Sequence, residues 1–273
     1  MASLLSTALA QVNHLADLDR VFSWLRASWQ KQWCTLPEVL DACQQVLVVP
    51  GVTLNLDTEM MLQAAHRVCA SIEEVSSNSF EPAYHNRLHF ADAMVSLTTL
   101  MRLQAKTHPD PSLSWMACLL LTVSAHDFKH PGGANAHPHQ IEEQSWACLQ
   151  TLLQGQLNQP WLSIIQDLIM RTDPADVPSN HQLVAGLDFQ WNPNWACVLL
   201  NEADILASAS ALHGPGLSTA LADEWKHAQH PLHAVVGTPS GRLHFLNAIQ
   251  FSSPASRSLG IESVVQAQKQ SLA

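Results

Sequence analysis

The sequence predicts an all-α fold, a compact bundle of many helices, and three observations carry that expectation. Apolar residues recur at spacings of three and four along most of the chain, the period of an amphipathic helix. Val46 to Val49 and the pair Val235-Val236 are too short to form strands, and no longer alternating run of β-branched residues occurs. The 273 residues are 47% hydrophobic and only 13% charged, so a large core can be buried and disorder is disfavoured.

The elements follow in order. Met1 to Leu5, without a basic leader, reads as the start of a helix and not as a signal peptide. Leu15 to Trp33 carries one apolar stripe of Leu18, Val21, Phe22, Leu25 and Trp29. Pro37 to Val48 begins with a proline suited to a helix start and stops before Pro50-Gly51. Asp57 is a candidate cap for a helix reaching about Val75, and Ser76 to Pro82 reads as a loop. Helices are expected from about His85 to Lys106 and from Ser112 to His126, then a Pro- and Gly-rich loop from His130 to His139. Gln140 to Gln154, Pro160 to Arg171, Asn192 to Ser210 and Leu217 to His227 are helical in pattern, and two late helices begin near Ser240 and Pro254. The chain reads as one domain over 1–273, with 1–80 as a helical subregion packed around a functional core at 81–255.

Thirteen basic and 23 acidic residues give a net charge of −10, which repels polyphosphate and argues against a nucleic acid polymer as partner. The longest mainly apolar run, Trp115 to Val123, is about half a membrane span, so no membrane partner and a cytoplasmic location are expected. The six cysteines have apolar neighbours and no C-x-x-C pair, the pattern of buried thiols in a reducing compartment. The composition leaves a homodimer open.

Two short stretches concentrate the chemistry: Tyr84-His85-Asn86-Arg87-Leu88-His89-Phe90-Ala91-Asp92 and Ala125-His126-Asp127-Phe128-Lys129-His130-Pro131-Gly132-Gly133-Ala134-Asn135. His85 and His89 are four apart and share a face if both are helical. His126 and Asp127 close a strongly apolar helix, where a His and an Asp side by side need a reason. A divalent metal supplies one, because imidazole with carboxylate suits zinc, manganese or iron. A lone helical His is ordinarily structural; four histidines and an aspartate in two clusters are not ordinary.

These stretches resemble the H-N-x-x-H-x-x-D and H-D-x-x-H-x-G-x-x-N signatures of the class I cyclic nucleotide phosphodiesterase catalytic domain, an HD-type metal-dependent phosphohydrolase. The similarity continues through Glu142-Glu143-Gln144, Leu168-Ile169-Met170-Arg171-Thr172-Asp173 and Asn201-Glu202-Ala203-Asp204, and ends weakly in Arg242-Leu243-His244-Phe245. The resemblance implies a bundle with its metal site at the helix core. It implies a first metal, zinc, held by His89, His126, Asp127 and Asp204, and a second, magnesium or manganese, bridged by Asp127 and otherwise mostly hydrated; iron is an alternative. His85 would be the general acid, while His130, Glu143 and Thr172 would orient water on the metals. Asp92 either orients a nearby His or is a solvated carboxylate. The implied reaction is attack on a 3',5'-cyclic nucleotide or other small phosphodiester by water that the two ions activate, with His85 protonating the leaving oxygen.

Three positions depart from the family. Lys129 stands where an Asp is usual, and either holds a substrate anion or reaches solvent. Asn201 replaces a His. Arg242 falls three residues before Phe245, where a base-reading Gln is usual. If Arg242 lines the pocket beside Phe245, it grips an anionic group of the substrate, because it has donors only; otherwise it is a surface cation. Three other readings stay open. The same centre would serve a non-nucleotide ester, amide or phosphonate. A di-iron oxygenase would need further ligands such as His137, His139 or His181. A non-catalytic binding module would keep only the fold.

Overall fold

The computed structural model describes residues 2–48, 51–78, 81–108, 112–153 and 155–273, and among these it contains fifteen helices and no strand. The all-α expectation holds. Val49, Pro50, Ser79, Phe80 and Gln154, which entered the sequence reading as breaks or ends, lie outside the described residues. No single helix among the described residues is long and apolar enough to cross a membrane.

Three helices form the centre: Arg87–Thr107 (α5), Leu113–Ala125 (α6) and Pro193–Ala209 (α10). Each is buried on nearly every face: α6 and α10 because they are apolar nearly all round, and α5 together with polar residues such as His89, Asp92, Ser96, Thr98 and Gln104. Around them pack Ala2–Gln11 (α1), Leu15–Lys31 (α2), Leu36–Leu47 (α3) and Leu56–Asn78 (α4), amphipathic helices that bury one stripe each. Gln140–Leu153 (α7), Gln159–Met170 (α8) and Val177–Leu183 (α9) close a second side. Gly214–His227 (α11), His233–Val236 (α12), Pro239–Ala248 (α13), Pro254–Leu259 (α14) and Ile261–Leu272 (α15) complete the chain. The described cysteines are all free thiols, and burial pushes Cys43, Cys69, Cys118 and Cys197 up to about 12.

Local chemistry sets the ends that matter. Asn55, not Asp57, caps α4, its side-chain oxygen accepting from the Thr58 amide at 2.8 Å, while Asp57 sits in the first turn and accepts from Asn158. Helix α4 also runs on to Asn78, through the start of the expected loop. His85 lies outside α5, because Asn86 is the cap: its oxygen accepts from the amides of Leu88 (2.9 Å) and His89 (3.2 Å). The Asn86 amide donates to the Ala83 carbonyl at 2.9 Å, so one residue fixes both the helix start and the loop that carries His85. Short α9 and α12 escape sequence periodicity because neither spans enough turns to show one.

Asp92 resolves to neither of its expected roles. It is buried on α5 and accepts a two-pronged bond from Arg26 of α2, at 2.8 and 3.1 Å, so it joins the N-terminal subregion to the central helix. Burial pushes its carboxyl up, and the Arg26 charge opposes that shift. Replacing Arg26 by Met leaves a buried carboxylate without its partner and should cost about 3–5 kcal/mol of stability at pH 8 in urea titrations. The deficit should shrink as pH falls and Asp92 protonates. A deficit under about 1 kcal/mol would show that water, not Arg26, satisfies this group.

Candidate metal centre

Three structural elements converge on one point. The first turn of α5 supplies His89, the end of α6 supplies His126 and Asp127, and the middle of α10 supplies Asp204. One nitrogen or oxygen from each lies within 4.8 Å of all the others. His89 Nε2 is 3.2 Å from Asp127 and 3.1 Å from Asp204, and His126 Nε2 is 3.2 and 3.3 Å from the same two. His126 Nδ1–H donates to the Val123 carbonyl at 2.8 Å, which fixes the tautomer and turns the Nε2 lone pair toward the carboxylates. A lone pair facing two carboxylates is repulsive unless a cation stands between them. The donor set therefore fits a divalent ion with imidazole and carboxylate ligands.

Without metal, protons take that place. Burial opposes the charged form of His89, but bonds to Asp127 and Asp204 outweigh it and raise the imidazole to about 9. His126 is likewise opposed by burial and raised well above its ordinary value by the Asp127 charge. Burial raises Asp127 and Asp204, yet the two imidazoles hold both carboxyls below the usual range.

A second cluster of His85, His130 and Glu224 adjoins the first, with His85 Nε2 3.9 Å from Asp127. Its hydrogen bonds distinguish it from the first cluster. His130 Nδ1 accepts from the Gly132 amide at 3.0 Å, so its one proton sits on Nε2 and leaves no lone pair for a metal. Burial, with the neighbouring His85, lowers His130 to about 4 and keeps it neutral. It stacks on His85 at 3.6 Å between ring centres. Glu224 of α11 holds His85 by three contacts: Nδ1 at 2.5 Å, the His85 amide at 2.9 Å and the Tyr84 amide at 2.8 Å. His85 Nε2 is thereby left facing the metal ligands.

His126, Asp127 and Asp204 of the first cluster and His85 and His130 of the second border a cleft of about 530 Å³, within the range of ligand sites. Thr172 lines it, its hydroxyl donating to the Ile169 carbonyl at 2.7 Å. Glu143 does not: it is exposed on α7, and its neighbour Glu142 turns inward, because adjacent helical positions point about 100° apart. Glu142 and Asp173 both accept from Asn135 Nδ2, at 2.9 and 3.0 Å. Arg242 and Phe245 are not among the residues that line this cleft. Arg242 is buried elsewhere, its guanidinium donating to the carbonyls of Ser208 and Ser210 at the end of α10 and to Gln268 of α15. Gly214 is glycine because a Cβ there would stand 2.3 Å from the Ser208 carbonyl oxygen and closer still to this guanidinium. Phe245 packs half-buried against the core, 5.4 Å from that cation. Asn201 binds Asn180 and the Arg171 carbonyl. His137, His139 and His181 stay out of the ligand cluster: His139 pairs with Asp176 and His181 with Ser252.

Glu224, Glu142 and Trp225 were missed by sequence reasoning. Glu224 left a signal, because it falls on the apolar stripe that Leu217, Leu221 and Trp225 set out along α11. In comparisons with known proteins, no family profile matches the chain and no curated protein matches it.

The pH dependence follows from these shifts. His89 at about 9 when folded, against about 6.5 unfolded, contributes stability that is complete below 6.5 and lost as pH rises through 9. The depressed carboxylates contribute above about 3.9 and lose it as pH falls. Metal-free protein should therefore melt at progressively lower temperature between pH 6.5 and 9.5 in thermal scans. Saturating manganese should remove most of that decline by replacing the protons. A metal-free melting temperature flat over this interval would refute the arrangement.

Proposed function

We propose that this protein is a metal-dependent hydrolase of a small phosphodiester, with His85 donating the proton to the leaving oxygen. The carrying observation is the meeting of a ligand set, His89, His126, Asp127 and Asp204, with a carboxylate-held histidine on one cleft. The resemblance of the same residues to the cyclic nucleotide phosphodiesterase signatures supports this reading. Zinc suits the first position, and a second divalent ion, magnesium or manganese, would share Asp127; iron suits the same donors. Bound there, such ions lower the pKa of a water and neutralise phosphoryl charge.

The side chains do the rest. Glu224 accepts from His85 Nδ1–H, which holds the ring with Nε2 turned into the cleft. His130, neutral and stacked on His85, keeps that ring from rotating. Glu142, Thr172 and Asp173 present acceptors along the opposite wall, where they would orient water. With Arg242 and Phe245 bound up elsewhere, the cleft lacks the expected base reader. The proposed substrate is thus a phosphodiester selected through its phosphoryl group, and a cyclic nucleotide would be cleaved without preference between purines.

His85→Ala should keep its metals and fold but lose roughly 10²–10⁴ in turnover of an alkyl diester. Bis(p-nitrophenyl) phosphate, whose leaving group needs little protonation, should suffer much less. Equal losses on both substrates would make His85 structural. Asp127→Ala should lose metal and turnover together, measured by metal analysis beside the assay; an active, fully metallated Asp127→Ala protein would overturn the proposal.

A further inference from the structure

We propose that a small pocket bordering the His85–His130 pair is a second binding site of the same centre, taking a carboxylate carried on a short arm of the substrate, with Lys129 as counter-ion. The inference rests on the hydrolase reading above.

His85, Asp127 and His130 border two cavities, the cleft already described and a pocket of about 230 Å³. That volume falls below the roughly 300–1,000 Å³ of sites for larger ligands, so it suits a group of a few atoms. Its wall is apolar at Ile72, Phe90 and Phe128, and its charged groups besides Asp127 are Glu81, Arg87 and Lys129. Two of these are committed to each other. Arg87 donates to Glu81 through Nε and Nη2, each at 3.0 Å, and to Glu73 through Nη1 at 2.7 Å. Lys129 is different: it is exposed and, among the described residues, has no carboxylate within ion-pair distance. Its ammonium stands 5.7 Å from the centre of the Phe128 ring that walls the pocket.

Lys129 has φ of 62°, as does His139, in the left-handed region that glycine or asparagine occupies more readily. The lining of the main cleft includes Asp127, Glu142, Asp173 and Asp204 and neither lysine nor arginine. With the phosphoryl group on the metals, a carboxylate arm finds an uncommitted side-chain counter-ion in the small pocket, at Lys129. The substrate class that follows is a small phosphodiester or phosphonate bearing a carboxylate.

The test is calorimetric binding to the manganese-loaded protein, with methylphosphonate and phosphonoacetate as probes. Wild type should bind phosphonoacetate roughly two- to fivefold more tightly, the scale of one partly screened ion pair. The preference should weaken at high salt. Lys129→Met should bind methylphosphonate as wild type does and lose most of the preference, and Lys129→Arg should keep it. Lys129 is exposed, so these variants are expected to fold. Equal affinity for the two probes, or a preference unchanged in Lys129→Met, overturns the second site while the hydrolase reading stands. Failure of methylphosphonate to bind the loaded protein overturns the hydrolase reading and this site with it.

Discussion

Two carboxylates and two imidazoles brought within 4.8 Å, with the imidazoles buried, are the constraint on which the rest of the structure depends. Such a cluster is costly without a cation, because each group has left water and the two aspartates repel. A metal ion or two protons relieve it equally in sign, though not in pH dependence. The flanking structure has to hold the four groups in place whichever is bound. That demand explains why polar residues sit at the heart of an otherwise apolar bundle. Asn86 caps the helix of His89, the Val123 carbonyl orients His126, and Asn201 and Glu202 fix the helix of Asp204.

Much of this was legible in the sequence, and the reasons differ by residue. The central helices were readable because α6 and α10 are long and apolar, and the loop at 130–139 because Pro131, Gly132, Gly133 and Pro138 cannot continue a helix. His89, His126, Asp127 and Asp204 were readable because their residue types and spacing are improbable for a plain core. The misplaced residues failed for physical reasons. Glu142 and Glu143 are chemically identical neighbours, and only the rotation of α7 about its axis, set by what Ile141 and Ser145 bury, decides which faces the cleft. His85 belongs to a loop and not a helix because the Asn86 side chain competes for the first amides of α5.

Glu224 shows a different limit. It lies 139 residues from His85 in sequence, and its bonds to two backbone amides and one ring nitrogen arise only when α11 folds across the loop before α5. Helix α11 buries little besides Gly214 and Glu224. Its attachment to the body at this point is therefore polar, and the same carboxylate that docks the helix also orients His85. Docking of the helix and orientation of His85 are one interaction. Leu221 and Trp225, three before Glu224 and one after, border the cleft on the same helix.

The fate of Arg242 assigns a purpose to the last part of the chain. As a base reader or anion grip it would have belonged to the cleft; instead its guanidinium satisfies the carbonyls of Ser208 and Ser210, where α10 ends and its dipole is negative. Gln268 of α15 binds both Arg242 and the Ala209 carbonyl, closing the same helix end. Further up α10, buried Glu202 accepts from the amides of Ser252 and Ser253 and from the hydroxyls of Ser253 and Ser256 at the start of α14. Burial pushes the Glu202 carboxyl up, and those four bonds oppose it, so the segment is drawn onto α10 by a group with no other partner nearby. Asp204 stands between these two anchors. Residues 239–272 thus act as a brace that fixes the rotation and end of the helix carrying Asp204. The arginine contributes to the centre through α10 without touching the cleft.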